Sequence, residues 1–556
     1  MENSKTSRWR KRLKDLRDDQ SSWRAHWKEI VDYFLPRYGR YLQGDNSSQH
    51  NDGSKKHQKI INGSGKWALG IMASGLQGGL TSPSRPWFTL SLPDEELAEY
   101  EPVRRWLHDV RNAMLLVFSR SNFYGSMKHV YVEDAGFGTA AMMIEEDYQT
   151  VIRCRPFTIG EYCLSLDCRY RPDSLYRQFA MTAMQMLQKF GKENLPVEVR
   201  VALENNKPDQ RFEVVNVIER SDYVNPSKAD YRGMQYASVY FPYNGSDENF
   251  ILKRSGYNSI PFIAPRWDVI GIDTYGVSPA MDALADEKML QKMEQKKLKK
   301  LDKNVDPPMN APTSMKHTGG TIVAGGVNFV DVNQGQQGFS PTFQTDSNIG
   351  EISAEIQNVM NRIRSDFAVD LFLAVTSADK DMTATEVAKR YEEKLMVLGP
   401  VFERLQSEAM DPIIDRVFSI MNNMGMLPPP PRELPPGMEL KVEYISLLAQ
   451  AQKMVETTAI QQFVGFTAEM AKVNQDVLDK VDFDETVDQM GQMLGVPPKI
   501  VRSDDKVQEV RAQRMQMQRA MQMAEAAQPI ANSVKALGST PVRGGESTAL
   551  DALTGQ

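Results

Sequence analysis

Gly276-Val277-Ser278-Pro279 opens the stretch on which the fold turns, and the pattern it starts runs through Met281, Leu284, Met289, Met293 and Leu298 to Leu301. Apolar positions three to five residues apart predict a helix with one buried face. Pro279 stands at a helix start, where a missing N–H costs nothing, and Asp306-Pro307-Pro308 predicts a stop. About 24 residues at 1.5 Å each make a rod of roughly 36 Å. A return rod follows, with Ile349, Ile352, Ile356, Val359, Ile363 and Phe367 on one face and Asn348 and Glu351 placed as N-cap and N3. After an interruption at about 370–382, Thr383-Ala384-Thr385-Glu386 has the form of a capping box. It leads into Val387, Tyr391, Leu395, Leu398, Phe402, Leu405, Ala409, Ile413, Val417, Ile420 and Met424. Pro400 and Pro412 are expected to kink this run without ending it, because the apolar stripe keeps its phase. Between the rods, 304–345 is rich in Gly, Pro, Asn and Gln, with a β-like patch at Thr321-Ile322-Val323, which predicts a small module outside the main core. Two rods with a module at the tip bury little alone, and copies of the same chain are the simplest neighbours.

Composition narrows the class. With 556 residues there is room for two to four compact regions, and 41% hydrophobic and 25% charged residues are ordinary for a globular protein. No run of 18 apolar residues occurs, so no membrane partner is expected, and Met1-Glu2-Asn3-Ser4-Lys5 lacks a signal peptide's apolar core. Cys154, Cys163 and Cys168 match neither a disulfide framework nor a zinc pattern, which points to synthesis in a reducing cytoplasm. A net charge of −6 argues against sequence-independent nucleic-acid binding over the whole surface but leaves room for a local basic patch. The 31 methionines suggest adaptable packing surfaces.

Before the rods, residues 1–35 read as helical, with Trp9, Leu13, Leu16, Trp23, Trp27, Ile30 and Phe34 in phase, and the basic run Arg8–Arg12 reads as a solvated face. Residues 39–58 read as loop. Ile60–Leu80 predicts a helix rich in small residues, whose glycines imply close backbone packing. A strand at Phe88–Leu92, helices at Pro102–Phe118 and from about Asn122, and a strand at Met142–Ile144 follow. From 150 to 275 the period shifts towards two, with strands at Val151–Arg153, Cys163–Leu166, Phe212–Val215, Ala237–Phe241 and from Phe262 to Ile272, interrupted by one helix at Thr182–Phe190. The fold class is therefore α+β and predominantly helical, with a mixed or antiparallel sheet. Past the rods come a proline-rich connector, a strand at Leu440–Tyr444, helices over 446–500, a Gln- and Met-rich helix at 504–527 and a disordered tail.

Tests for chemistry are negative. Asn62-Gly63-Ser64-Gly65-Lys66 resembles a phosphate loop in outline, but Ile60 stands where its first glycine belongs and Trp67 where the Mg²⁺-binding hydroxyl belongs. The six histidines show no metal-ligand spacing, Glu145-Glu146-Asp147 reads as a solvated strand end, and no nucleophile elbow appears. No enzyme, cofactor or metal is expected. Lys288, Lys292, Lys296, Lys297, Lys299, Lys300 and Lys303 crowd the C-terminal half of the first rod. They read either as a solvated face favourable to the helix dipole or, in a ring, as bands of positive charge for a phosphate backbone. The 370–382 interruption reads either as a plain connection or as a mobile loop facing a central opening.

Several motifs together resemble the head-to-tail connector, or portal, proteins of short-tailed phages. They are Ala73-Ser74-Gly75-Leu76-Gln77-Gly78-Gly79-Leu80-Thr81-Ser82-Pro83-Ser84-Arg85-Pro86-Trp87-Phe88, Phe137-Gly138-Thr139-Ala140, Arg266-Trp267, Tyr275-Gly276-Val277-Ser278-Pro279 and Asp306-Pro307-Pro308. Met382-Thr383-Ala384-Thr385-Glu386-Val387, Glu392-Glu393 and Leu398-Gly399-Pro400 complete the set, and the resemblance runs from about residue 20 to 525. It implies a ring of about twelve copies around a channel. By the same resemblance 1–278 is the wing, 279–303 the descending stem helix, 304–347 the clip and 348–369 the returning stem helix. A tunnel loop at 370–382 (Thr376, Ser377, Asp379, Lys380, Asp381), a long kinked wing helix at 383–432, a crown at 433–503, a possible short barrel helix at 504–527 and a disordered tail at 528–556 follow. The implied DNA-channel residues are Lys288, Lys292, Lys296, Lys299, Lys300 and Lys303. Implied partners are the terminase large subunit, which hydrolyses the ATP, a tail adaptor at the clip, capsid and scaffolding proteins, and double-stranded DNA passing non-specifically. The implied location is the portal vertex of the virion, reached from the host cytoplasm. The alternative is another phage structural protein, a scaffolding or tail adaptor protein without a DNA channel.

Overall fold

The computed structural model describes residues 5–42, 59–305 (save 95–96, 99, 223, 226, 229 and 245–248), 309–310, 316, 340–341, 349–374, 398–435, 441–444, 460, 462–467, 469–470, 481–493 and 506–521. The β-like patch at Thr321–Val323, the tunnel-loop residues Thr376, Ser377, Asp379, Lys380 and Asp381, the capping box at 383–386, most of the crown and the 528–556 tail lie outside the described residues. Contacts divide the chain into two units. The first comprises Met1–Thr89, Val110–Pro428 and Val442–Ala449, the second Leu90–Asp109, Pro429–Lys441 and Gln450–Gln556.

Two layers make the first unit. One is a five-stranded sheet of β4 (Tyr162–Leu166), β5 (Pro172–Thr182), β6 (Arg211–Arg220), β7 (Tyr236–Pro242) and β8 (Lys253–Tyr257), antiparallel throughout. Strand pleating sends alternate residues to opposite faces. Tyr176, Val215, Val217, Val239 and Phe241 meet Trp9, Leu13 and Leu16 of α1 (Lys5–Asp19). Phe179, Met181, Val214 and Tyr240 meet α6 (Ala183–Phe190) and α7 (Val197–Glu204) on the other face. Each large side chain so buried contributes roughly 1.5–3 kcal/mol. A three-stranded sheet, β3-β2-β9, stands beside it, built from β2 (Ala141–Asp147), β3 (Val151–Phe157) and β9 (Phe262–Ile263).

The other layer is helical. It packs α3 (Ser64–Leu80) against α5 (Phe123–Phe137), and α2 (Ser21–Tyr33) and α3 against the two rods. The outward rod is α8 (Pro279–Asp282) running on into α9 (Leu284–Val305), and the return rod is α10 (Ile349–Asp366) followed by α11 (Val369–Ala374). An aromatic cluster of Trp87, Phe88, Phe118 and Phe123 closes one end, with Phe118 and Phe123 centroids 4.3 Å apart.

Several expectations need correction. The helical reading of the first residues holds over 5–33, as α1 and α2 meeting at Gln20, whose side chain donates to the Tyr162 carbonyl and the Tyr275 hydroxyl. The basic run is not simply solvated: Arg10 donates to the carbonyls of Tyr243 and Pro242, and Arg8 pairs with Asp222 at 2.8 Å. The small-residue helix starts at Ser64 rather than Ile60. Strands β5 and β8 and helix α7 add to the elements that the sequence pattern predicts, and the strand from Phe262 stops at Ile263, continued only by bridges at Arg266 and Asp268. The interruption begins earlier than 370: Ala368 takes a left-handed conformation (φ 47°) and 369–374 is helical, burying Leu371 and Phe372. The long stripe stays helical from 398 to 423 through a π-helical stretch at Gln406–Met410, so Pro412 does not end it. Pro412 offers no N–H to Glu408, and the wider π turn accommodates that missing bond. At the rods' tip, Met309–Asn310 pairs antiparallel with Ser340–Pro341.

In the second unit the 506–521 helix carries exposed Met517 and Met521 and half-buried Val507 and Val510. Arg511 forks onto Asp484 of the Phe483–Met493 helix at 2.7 and 2.8 Å.

Candidate functional site

Motifs far apart in the chain meet where the outward rod begins. Ser278 is the N-cap of α8: its Oγ accepts from Met281 N (3.1 Å) and donates to the Gly136 carbonyl (2.9 Å). Gly276 N donates to Thr139 Oγ1 (2.9 Å), and Trp267 N donates to the Gly138 carbonyl (3.0 Å). Gly138 ends α5 in the left-handed region (φ 73°), and a Cβ there would stand 2.1 Å from the Gly276 carbonyl oxygen. A Cβ at Gly276 would in turn stand 2.3 Å from the Gly138 carbonyl oxygen. Two backbones touch here, so neither position has room for a side chain. Beside them Arg266, 4% exposed, is held by Glu408 of the π stretch through Nε (3.1 Å) and Nη2 (2.6 Å), while Nη1 and Nη2 reach the carbonyls of Asp273 and Tyr170. The quoted motifs around Gly138, Arg266 and Gly276 are thus one structure, the root that aims the rod. Periodicity showed the rod but not Glu408, whose position 142 residues from Arg266 carries no local signal. Burial first, then the Glu408 charge, hold the nearby Asp134 carboxyl well above the usual range.

The Asn62–Lys66 segment clamps the rod next. Gln291 Oε1 accepts from Ile61 N (2.7 Å) and Asn62 N (2.9 Å), and Gln291 Nε2 donates to the Asn62 carbonyl (2.7 Å) and to Glu287 Oε1 (2.6 Å). Gly65 is small so that Glu287 can fit, since a Cβ there would stand 2.4 Å from Glu287 Oε2. Burial pushes the Glu287 carboxyl up to about 7. Arg362 on α10 grips Asp286 with two 3.0 Å bonds, tying the rods together.

Beyond Gln291 the described part of α9 buries no side chain, and Leu298 and Val305 are open. The lysines separate here. Lys292, Lys296, Lys299 and Lys303 are exposed, and their spacing of four, three and four residues puts them on one stripe. Lys288 pairs instead with Glu29 of α2 at 2.8 Å, Lys297 lies 3.6 Å from Glu294, and Lys300 is half-buried.

The acidic run is structural: Glu145 pairs with Arg155 (2.8 Å), Glu146 lies 3.9 Å from Arg416, and Asp147 accepts from Thr150 Oγ1 (2.7 Å). Among the described residues no three His, Cys, Asp or Glu converge as a metal site, and no helix is long and apolar enough to cross a membrane. Burial pushes the Cys154 and Cys163 thiols up to about 12 and 11, away from the reactive thiolate.

Among the described residues the site is an anchored rod that bears a stripe of cations. The family model described as bacteriophage head to tail connecting protein matches residues 6–501, and the chain belongs to that family: it is a phage head-to-tail connector of the portal type. More particularly, it is 39% identical over 534 residues to a probable portal protein of Bordetella phage BPP-1, covering 96% of this chain and 94% of the relative. It is also 39% identical over 542 residues to the portal protein of Salmonella phage epsilon15, covering 97% and 96%. Among solved structures, a chain in the neck of an empty GTA particle aligns at 11% identity and a TM-score of 0.37, over 78% of this chain and 89% of its own. A chain from the virion of a native gene transfer agent aligns at 11% identity and 0.33, over 77% and 94%.

Proposed function

We propose that this connector acts as a closed ring of about a dozen copies at one capsid vertex, with double-stranded DNA entering and leaving through its axis. In this reading 1–278 is the wing, 279–303 and 348–369 the stem, 304–347 the clip that receives a tail adaptor, and 433–503 the crown. The 370–382 segment is the tunnel loop, with Thr376, Ser377, Asp379, Lys380 and Asp381 as its candidate residues, and 383–432 is the kinked wing helix. Capsid and scaffolding proteins are its partners, and the terminase large subunit docks on the ring and supplies ATP hydrolysis, so the ring itself turns nothing over. It assembles in the host cytoplasm and remains in the virion.

The observation that carries this reading is the uncovered half of α9. Leu298 and Val305 find no cover among the described residues, while Lys292, Lys296, Lys299 and Lys303 keep to a stripe of their own. A ring covers the apolar positions with the neighbouring copy and repeats each lysine into a band of charge. Such a band follows a phosphate backbone of any sequence.

Electron microscopy and native mass spectrometry of the purified full chain test this. The expected result is a ring with an axial hole. A monomer that persists when capsid or scaffolding protein is added overturns it.

A further inference from the structure

Strand pleating gathers cations into a second place, remote in sequence from the rods. Arg153 and Arg155 stand two apart on one face of β3, and Arg177, Phe179 and Met181 share a face of β5. With Ala180, and with Gln185, Gln188 and Lys189 of α6, they line a cleft of about 570 Å³. The Arg177 guanidinium lies 3.9 Å above the Phe179 ring and 4.4 Å above the Phe157 ring.

We infer that this cleft is a binding site for an acidic peptide segment of a partner protein, one that carries an apolar side chain among its carboxylates. The cleft already shows that carboxylates fit its cations: Glu161 pairs with Arg177, and Glu145 with Arg155 at 2.8 Å. Two cations are left less well matched. Arg153 is mostly exposed and comes no nearer than 3.8 Å to Asp147, and Lys189 donates to a neutral acceptor, the Tyr240 hydroxyl, at 3.1 Å. Burial, then the neighbouring Arg155 and Arg177, lower Lys189 to about 8, so an incoming carboxylate relieves an unfavourable charge there. The rest of the lining favours a peptide over a phosphate chain. Gln188 can both donate and accept, as a peptide backbone requires, Gln185 can donate through Nε2 while its Oε1 accepts from Thr182 N, and Phe179 and Met181 offer an apolar floor. The volume suits two or three side chains and is within the range of ordinary ligand clefts, about 300–1,000 Å³. This site uses none of the rod residues and stands whether or not the ring reading holds.

The test is fluorescence anisotropy of the full chain with a labelled peptide alternating Asp and Glu with Leu and Phe, competed by a short single-stranded DNA. Saturable peptide binding that weakens with salt is expected, reduced about tenfold or more by Lys189→Gln or by Arg153→Gln. Lys189→Arg should restore most of it, and circular dichroism should show all three variants folded. No peptide binding, or binding unchanged in both glutamine variants, overturns the proposal. So does DNA binding more tightly than the peptide through the same two residues, which would make the cleft a nucleic-acid contact.

Discussion

Burial holds the Glu287 carboxyl up to about 7, against an ordinary value of 4.5, in a pocket formed by Gly65, Phe34 and Gln291. Below about pH 4.5 the group is protonated in both folded and unfolded chains and costs nothing. Between 4.5 and 7 the unfolded chain releases its proton while the folded chain keeps it, so stability falls as pH rises. Above 7 the loss is complete, about 3 kcal/mol. Glu287→Gln keeps the oxygen that accepts from Gln291 and removes the titration. Thermal unfolding should therefore show wild type and variant alike near pH 4.5 and the variant more stable at pH 8. Equal melting temperatures at pH 8 would count against a buried, protonated Glu287. The glycines at 138 and 276 illustrate a different constraint. There backbone meets backbone, and no rotamer change can make room.

Helix α3 separates two reasons for glycine that look identical in sequence. At Gly75 a Cβ would stand 2.7 Å from the Phe372 Cβ and closer still to its ring, so α11 can pack only on a bare backbone. At Gly70 nothing lies within 4 Å. Gly70→Ala should therefore gain about 1 kcal/mol of helix propensity. Gly75→Ala should lose about 1–3 kcal/mol to overpacking despite the same gain. Chemical denaturation of the two variants side by side checks this, and a stabilised Gly75→Ala would show that α11 does not rest on α3. The break before α11 also belongs to packing. Ala368 enters the left-handed region without being glycine, a cost of about 1–2 kcal/mol that burial of Leu371 and Phe372 offsets.

For the assembled connector, the lysine stripe leads to a prediction that one chain alone cannot express. Replacing Lys292, Lys296 and Lys299 with Gln removes charge from exposed positions that bear on no buried contact, so rings should form as before. In the proposed ring of about twelve copies, the variant would lose about three dozen positive charges. DNA packaging or retention should fall, and DNA affinity should lose part of its salt dependence. Unchanged packaging and retention would return the lysines to the role of a solvated helix face. Lys288 is the natural control, since its partner is Glu29.

The sequence by itself determined what lies within a few residues of its cause. The rods follow from their apolar period, the start of α8 from Ser278 and Pro279, and the connector family from motifs quoted in order. It also marked the lysines as a group. Only the tertiary structure sorted them into Lys292, Lys296, Lys299 and Lys303 on one stripe and Lys288 against α2, because burial depends on which helix lies alongside. It alone showed that Gly65 and Gly75 are needed for packing while Gly70, Gly78 and Gly79 face open space. It alone brought Glu408 to Arg266, and Arg153 and Arg155 to Arg177 and Lys189. Capping and periodicity act through bonds to residues three or four positions away and so leave a trace in the string. Close approach between distant segments is set by how the layers stack, and the string carries no record of that distance.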